Sequence, residues 1–119
     1  FDKPMIYYPL AILLLLKIKN ILIVTDPNNI NNFKKIFGNG SRFGIKINYK
    51  IQNKPKGIAH ALKISKDFIN NDKICVILGD NIFYGQSLIE NIWDGLKNFS
   101  GACIFGYYMK DPNSYCRKT

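Results

Sequence analysis

The chain has 119 residues, of which 47% are hydrophobic and 21% charged, and a formal net charge of +9. That length gives room for one domain with one core, spanning residues 1–119, and the balance is globular rather than disordered. The longest uncharged run, Pro4 to Leu16, covers 13 residues, against about 20 for a bilayer span. It reads as a core helix, and neither a signal peptide nor a membrane association is expected. The expected location is cytoplasmic.

A charge of +9 raises nucleic acid as a partner. Fifteen of the 17 basic residues are lysines scattered along the chain, with Lys34-Lys35 the only adjacent lysine pair. There is no arginine-rich arm, aromatic–basic alternation or zinc-finger spacing, so the charge reads as a solvated surface and nucleic-acid binding is not expected. The 19 Ile and 14 Asn match the coding bias of an AT-rich genome. Cys75, Cys103 and Cys116 lack C-x-x-C spacing, and the first two fall in apolar segments where a thiol packs as a small hydrophobe. No disulfide or cysteine metal site is expected.

Helical and extended patterns alternate along the chain. Met5 to Leu16 reads as a helix and Ile21 to Thr25 as a short buried strand. Asp26-Pro27 supplies an N-cap acceptor followed by proline at the first helical position. The helix it opens carries Ile30, Phe33, Ile36 and Phe37 on one face and stops at Gly38-Asn39-Gly40. Ile45 to Ile51 alternates as a half-exposed strand. After Gly57 a helix presents Ile58, Ala61, Leu62, Ser65, Phe68 and Ile69 as a stripe. Ile74 to Leu78 is apolar enough to be a strand buried on both faces. Ser87 and Glu90 match a capping box, ahead of a helix with Ile89, Ile92, Trp93 and Leu96 inward. Ala102 to Tyr108 reads as a last strand, and Asp111 to Ser114 as a turn. This alternation predicts an α/β fold with a mainly parallel sheet and helices on both faces.

In such sheets ligands bind at the carboxyl ends of the strands. The stretch "ICVILGDNIFYG", residues 74 to 85, places Gly79 and Asp80 there. A carboxylate at that tip suits Mg²⁺, which takes one or two anionic oxygens and shares its other positions with water and substrate phosphates. Gly79 would let a nucleotide approach the backbone, and Asn81 could hold water. Equally, Asp80 and Asn81 could brace the following loop as an Asx turn. A second stretch, "QNKPKGIAHA", follows a strand and opens a helix. Gln52 can donate and accept on the edge of a nucleobase, and Gly57 with the free N–H groups of the helix can receive an anion or a ring edge. Lys54 and Lys56 could meet phosphate or simply be solvated. His60, the single histidine, lies beside the apolar stripe and reads as structural rather than as a general base.

With "DKPMIYYPL" (residues 2 to 10), "LGDNIFYG" (78 to 85) and Phe105-Gly106-Tyr107 before Asp111-Pro112, the two stretches keep one order and spacing. The chain resembles the bacterial sugar-phosphate nucleotidylyltransferases, closest among them to the glucose-1-phosphate thymidylyltransferases, from residue 1 to about Tyr115. The resemblance implies a Rossmann-like nucleotidyltransferase fold and a Mg²⁺-dependent reaction. In it dTTP and α-D-glucose 1-phosphate give dTDP-glucose and pyrophosphate, the first step toward dTDP-rhamnose for cell-surface polysaccharides. It implies that Gln52 and Gly57 read the base, that Gly79 lines the nucleotide pocket and that Asp80 is one of two metal-binding aspartates. It further implies a homotetramer.

The same resemblance marks departures. The family's Gly-rich loop with its triphosphate-gripping Arg, a following Lys, the sugar-binding Glu-Lys pair and the second metal Asp have no counterparts here; Lys3 is not that Lys. Both ends are therefore expected to be truncated, and the isolated 119 residues are expected to be inactive. The alternatives are another nucleotide-sugar pyrophosphorylase, such as a uridylyltransferase, and a non-catalytic remnant with a partial nucleotide site.

Overall fold

A computed structural model describes residues 4–97 and 99–106. The parts of the expectations that fall on Phe1–Lys3, on residues 107–108 of the last strand and on the Asp111–Ser114 turn lie outside the described residues. The chain divides into two compact units, Phe1–Phe83 and Tyr84–Thr119.

In the first unit, α1 (Tyr7–Leu15) is apolar on all sides and buries Pro9, Leu10 and Leu13. Pro9 is tolerated because it lies in the first turn, where its missing N–H would have no helical partner. The helix ends in a Schellman arrangement: the Ile18 N–H donates to the Leu13 carbonyl at 3.0 Å and the Lys17 N–H to that of Leu14 at 2.9 Å. Lys17 occupies the left-handed position at φ 61°, where glycine is usual, so the motif forms at some backbone cost.

Strand β1 (Asn20–Thr25) pairs in parallel with β2 (Lys46–Ile51) through helix α2 (Ile30–Phe37), a β-α-β unit. The register sets Ile21 against Ile47 and Ile23 against Tyr49. That face, with Leu10, Leu13, Phe37 and Ile45, is the core, and Phe33 and Ile36 of α2 pack on it. Asp26 braces the turn that leads into α2 rather than capping the helix itself, which starts at Ile30 with Asn29 at its N-cap and no side-chain cap bond, so Pro27 is not its first residue. Its Oδ1 accepts the N–H groups of Asn28 (2.8 Å) and Asn29 (3.1 Å), and Oδ2 accepts the Asn29 side-chain amide at 2.7 Å. The Asn29 side-chain amide, chiefly, holds the Asp26 carboxyl below its ordinary value; desolvation opposes it, and the backbone N–H groups of Asn28 and Asn29 add to the lowering. At the other end of α2, Gly40 adopts φ 85° and hugs β2 so closely that a Cβ would come within 2.8 Å of both the Ile45 carbonyl and the Ile47 side chain.

The helical stripe after Gly57 is broken in two, α3 (Gly57–Ile64) and α4 (Lys66–Ile69). The buried Ser65 hydroxyl donates to the Ala61 carbonyl at 2.7 Å, the back-bonding that bends helices. Ile74 to Leu78 does not behave as the buried strand its composition suggests. Ile74, Val76 and Leu78 are 46%, 53% and 41% exposed, and only Ile77 packs against the core. Cys75 is exposed with them. A strand of this type keeps its place through ladder bonds on its edges, and among the described residues β1 and β2 bond to each other and to no third strand.

The second unit contains α5 (Leu88–Lys97), which buries Ile92. Ser87 and Glu90 do not form the expected capping box: Ser87 sits at φ 59°, and its carbonyl accepts the Asn91 N–H at 2.9 Å. Residues 102–106 run without ladder bonds, with Phe105 against Gly95 and the Cys103 thiol 3.9 Å from the Gly95 carbonyl. No helix among the described residues is long and apolar enough to cross a membrane.

Two predictions follow from these contacts. Gly40→Ala adds both a left-handed backbone penalty and a contact with backbone, so it should lower unfolding stability by about 2 kcal/mol or more, read by urea titration. Because the Asp26 carboxyl is depressed in the folded chain, its stabilisation is complete above the unfolded value of about 4. It should disappear as pH falls through the lower folded value. The stability gap between the parent and Asp26→Asn should therefore narrow on acidification below about pH 4, and a gap that widens there contradicts a stabilising role for these carboxylate bonds.

Candidate nucleotide site

The ladder between β1 and β2 runs one rung past the strands at its carboxyl end: the Gln52 N–H donates to the Thr25 carbonyl at 2.8 Å. This rung sets Gln52 at the carboxyl end of the parallel pair. Residues 53–56 then turn into α3, whose first residue, Gly57, adopts φ 82°. A Cβ added at Gly57 would meet nothing within 4 Å, so the backbone there is open on that side and glycine is needed for its φ.

The Gln52 side chain turns back onto this glycine. Its Nε2 donates to the Gly57 carbonyl at 3.2 Å and lies 2.9 Å from His60 Nδ1. An amide nitrogen has two hydrogens and no acceptor capacity, so the second hydrogen goes to Nδ1. In this arrangement His60 Nδ1 is the acceptor. The Oε1 of Gln52 is left without a partner among the described residues. Beside this group, Ile51, Asn53, Lys54, Lys56, His60 and Ile64 line an open cleft of about 320 Å³, at the small end of the range for ligand sites. Its two lysines favour an anion.

Gly79 and Asp80 are positioned by a different device. The Asn81 N–H donates to the Leu78 carbonyl at 3.2 Å, which makes Gly79 and Asp80 the two central residues of a tight turn. Both are exposed, and neither lines the cleft beside Gln52. Among the described residues nothing bonds to the Asp80 carboxylate, so the Asx brace weighed from sequence is not formed. No group of three or more His, Cys, Asp and Glu side chains is gathered among the described residues. A hard cation completed by water and phosphate requires less, and a free carboxylate at a turn is compatible with that role.

The sequence pairs Gln52 with Gly57 as a candidate site, and a hydrogen bond joins the two, but the same reading sets His60 aside. The overlooked signal is positional: a residue in the first turn and a half of a helix leans its side chain toward the N-terminus. His60 is the fourth residue of α3 and so points back at the strand end that holds Gln52.

A parallel β-α-β unit with convergent polar groups at the strand end defines an α/β domain of the kind that takes ligands at that edge. The chain belongs to the nucleotidyl transferase family, whose profile matches residues 1–116. It is 46% identical over 115 residues to the glucose-1-phosphate thymidylyltransferase of Neisseria meningitidis serogroup A, covering 97% of this chain and 40% of that protein. The Mycobacterium tuberculosis enzyme of the same name is 38% identical over the same share of this chain and 40% of its own. A Bacillus anthracis crystal structure assigned as a glucose-1-phosphate thymidylyltransferase, solved in complex with a sucrose, superposes with a TM-score of 0.67. It is 36% identical and covers 78% of this chain and 39% of its own. The chain thus spans about 40% of the length of these curated relatives.

Since the Gly57 requirement lies in its φ rather than in crowding, Gly57→Ala should cost about 1–2 kcal/mol of unfolding stability. An unchanged urea midpoint would show that α3 can start without the left-handed residue.

Proposed function

We propose that the protein containing this chain is a glucose-1-phosphate thymidylyltransferase, and that these residues form its base and metal end. The reaction joins a phosphate oxygen of α-D-glucose 1-phosphate to the α-phosphorus of dTTP. The bond from that phosphorus to the bridging oxygen breaks, and pyrophosphate leaves with the electron pair. Such a displacement depends on alignment and charge neutralisation more than on proton transfer.

The observation that supports this reading best is the pinned Gln52 amide at the end of β2, bonded to Gly57 and flanked by a lysine-lined cleft. In this role Gln52 Oε1 accepts the imide N–H of thymine, and the free N–H groups at the start of α3 face a ring carbonyl. Lys54 and Lys56 draw the phosphates toward the cleft. Gly79 gives the nucleotide backbone clearance at the turn. Asp80 would hold Mg²⁺, which when bound neutralises phosphate charge. These groups attract, orient and discriminate; none needs to carry a proton. On the same reading the protein is a cytoplasmic homotetramer that supplies dTDP-glucose for dTDP-rhamnose and cell-surface polysaccharide.

Because the imide N–H is common to thymine and uracil, Gln52 serves a uridylyltransferase equally well, and turnover with dTTP against UTP decides between them. A polypeptide of these 119 residues alone should turn over at least about 10²-fold more slowly than the relatives, since it lacks the charged donors that the family resemblance assigns to the triphosphate. Asp80→Asn in the complete enzyme should lower kcat by about 10²–10³ and raise the Mg²⁺ concentration for half-maximal rate. Equal rates for Asp80→Asn and the parent at every Mg²⁺ concentration would remove Asp80 from the site.

A further inference from the structure

Two acceptors grip the Gln52 amide nitrogen, and only one of them is a side chain. Its bond to His60 Nδ1, at 2.9 Å, is the shorter of the two; the Gly57 carbonyl is at 3.2 Å. A primary amide can present either end to a ligand, since rotation by half a turn exchanges oxygen and nitrogen at little internal cost. The outcome is therefore set by its neighbours. With acceptors on both nitrogen hydrogens, the amide oxygen is the end left over. With a hydrogen-bond donor or no partner at position 60, the rotated form, with NH₂ outward, loses much of its disadvantage.

We propose that His60 is the positioning residue that makes Gln52 an acceptor, and that this sets base specificity in favour of bases with an imide N–H. The inference rests on the reading of Gln52 as the base-contacting group. A uracil or thymine ring offers a donor at N3 and matches an outward Oε1. Cytosine offers an acceptor at the same position and meets Oε1 lone pair to lone pair, a mismatch that leaves two acceptors facing each other without a hydrogen. His60 acts through Gln52 and need not touch the nucleotide. The half-buried ring shares the cleft wall with Ile64, and the charged groups in that wall are Lys54 and Lys56.

The test compares dTTP and dCTP binding, with Mg²⁺, by calorimetry on the complete protein and on its His60→Leu and His60→Asn variants. His60→Leu removes the acceptor, and the preference for dTTP over dCTP should fall about five- to tenfold, the worth of one hydrogen bond. His60→Asn offers a carbonyl oxygen in place of Nδ1 and should restore most of the preference. A variant that weakens both nucleotides equally, leaving the ratio unchanged, overturns the proposal and assigns His60 to packing. A second readout needs no nucleotide. In the complete protein the ring nitrogens of His60 are assigned in a long-range ¹H–¹⁵N spectrum as the signals that His60→Asn removes. The unliganded protein should show an unprotonated Nδ1 and a protonated Nε2, and the opposite tautomer overturns the proposal. If the parent protein binds neither nucleotide, the reading of the site falls and this inference with it; if it binds dTTP and the ratio survives His60→Leu, only the inference falls.

Discussion

The parallel pairing of β1 with β2 is the constraint on which the first unit depends. Its register puts Ile21, Ile23, Ile47 and Tyr49 on one face, over Phe37, Leu10 and Leu13. A slip of one residue would turn that face to solvent, so burial of the apolar set selects the register. The same ladder ends in the bond from Gln52 N–H to Thr25 carbonyl, so the position of the candidate site is a consequence of core packing. Tyr49 strengthens the link by donating its hydroxyl to the Gly38 carbonyl at 2.6 Å, tying β2 to the end of α2. Burial pushes its phenol up from the ordinary value, which keeps it a donor. Phe37, almost wholly buried, has Tyr7 and Phe43 as ring neighbours at 5.1 Å and 6.1 Å, in tilted and edge-on geometries that aromatic pairs prefer.

What was legible in the sequence was what local chemistry decides. Asp26-Pro27 marks the approach to a helix because an acceptor and a residue without N–H both suit free backbone donors; the bonds of Asp26 form, but in a turn, and the helix begins only at Ile30. The α2 face and the alternation in β2 were legible because one buried side imposes a period. The less legible features depend on more than local sequence. The end of α1 is a Schellman arrangement with lysine in the left-handed place, invisible to a rule that looks for glycine. The break at Ser65 depends on which way one hydroxyl turns. Ile74 to Leu78 reads as a buried strand because its residues suit that environment, yet composition cannot supply the neighbouring edges that the environment requires. In the site, Gln52 and Gly57 were legible through their place between strand and helix. His60 was passed over because its neighbours in sequence are apolar, while its hydrogen-bond partner lies eight residues back.

Charge adds less to the fold than a count of 17 basic residues suggests. The ion pair between Lys50 and Asp67 spans 3.7 Å with the carboxylate almost fully exposed, and that between Lys97 and Asp94 is exposed on both sides. Pairs of this kind contribute about 0–1 kcal/mol at best, so the solvated lysines are nearly neutral in stability. Their effect is on what approaches the surface. Lys54 and Lys56 stand in the wall of a cleft beside the pinned amide, where a modest positive field favours phosphate over neutral solutes without specifying a base.

On the proposed reading, that division of labour suits an amide rather than another charge at the strand end. A lysine or carboxylate there would hold any ligand of opposite sign and could not tell one ring edge from another. An amide is neutral, so its contribution to affinity is small, but each of its ends has a fixed hydrogen-bonding sense. Discrimination then comes from the penalty for the wrong pairing, a buried donor or acceptor left without its complement, which exceeds the gain from the right one. Such a penalty operates only if the amide cannot turn to suit each ligand. An unrestrained glutamine would adapt and discriminate poorly; one held by two acceptors on the same nitrogen cannot follow the ligand without giving up both bonds. On the proposed reading, selectivity would depend on groups behind Gln52, and the ladder that sets Gln52 beside Gly57 and His60 holds those groups in place.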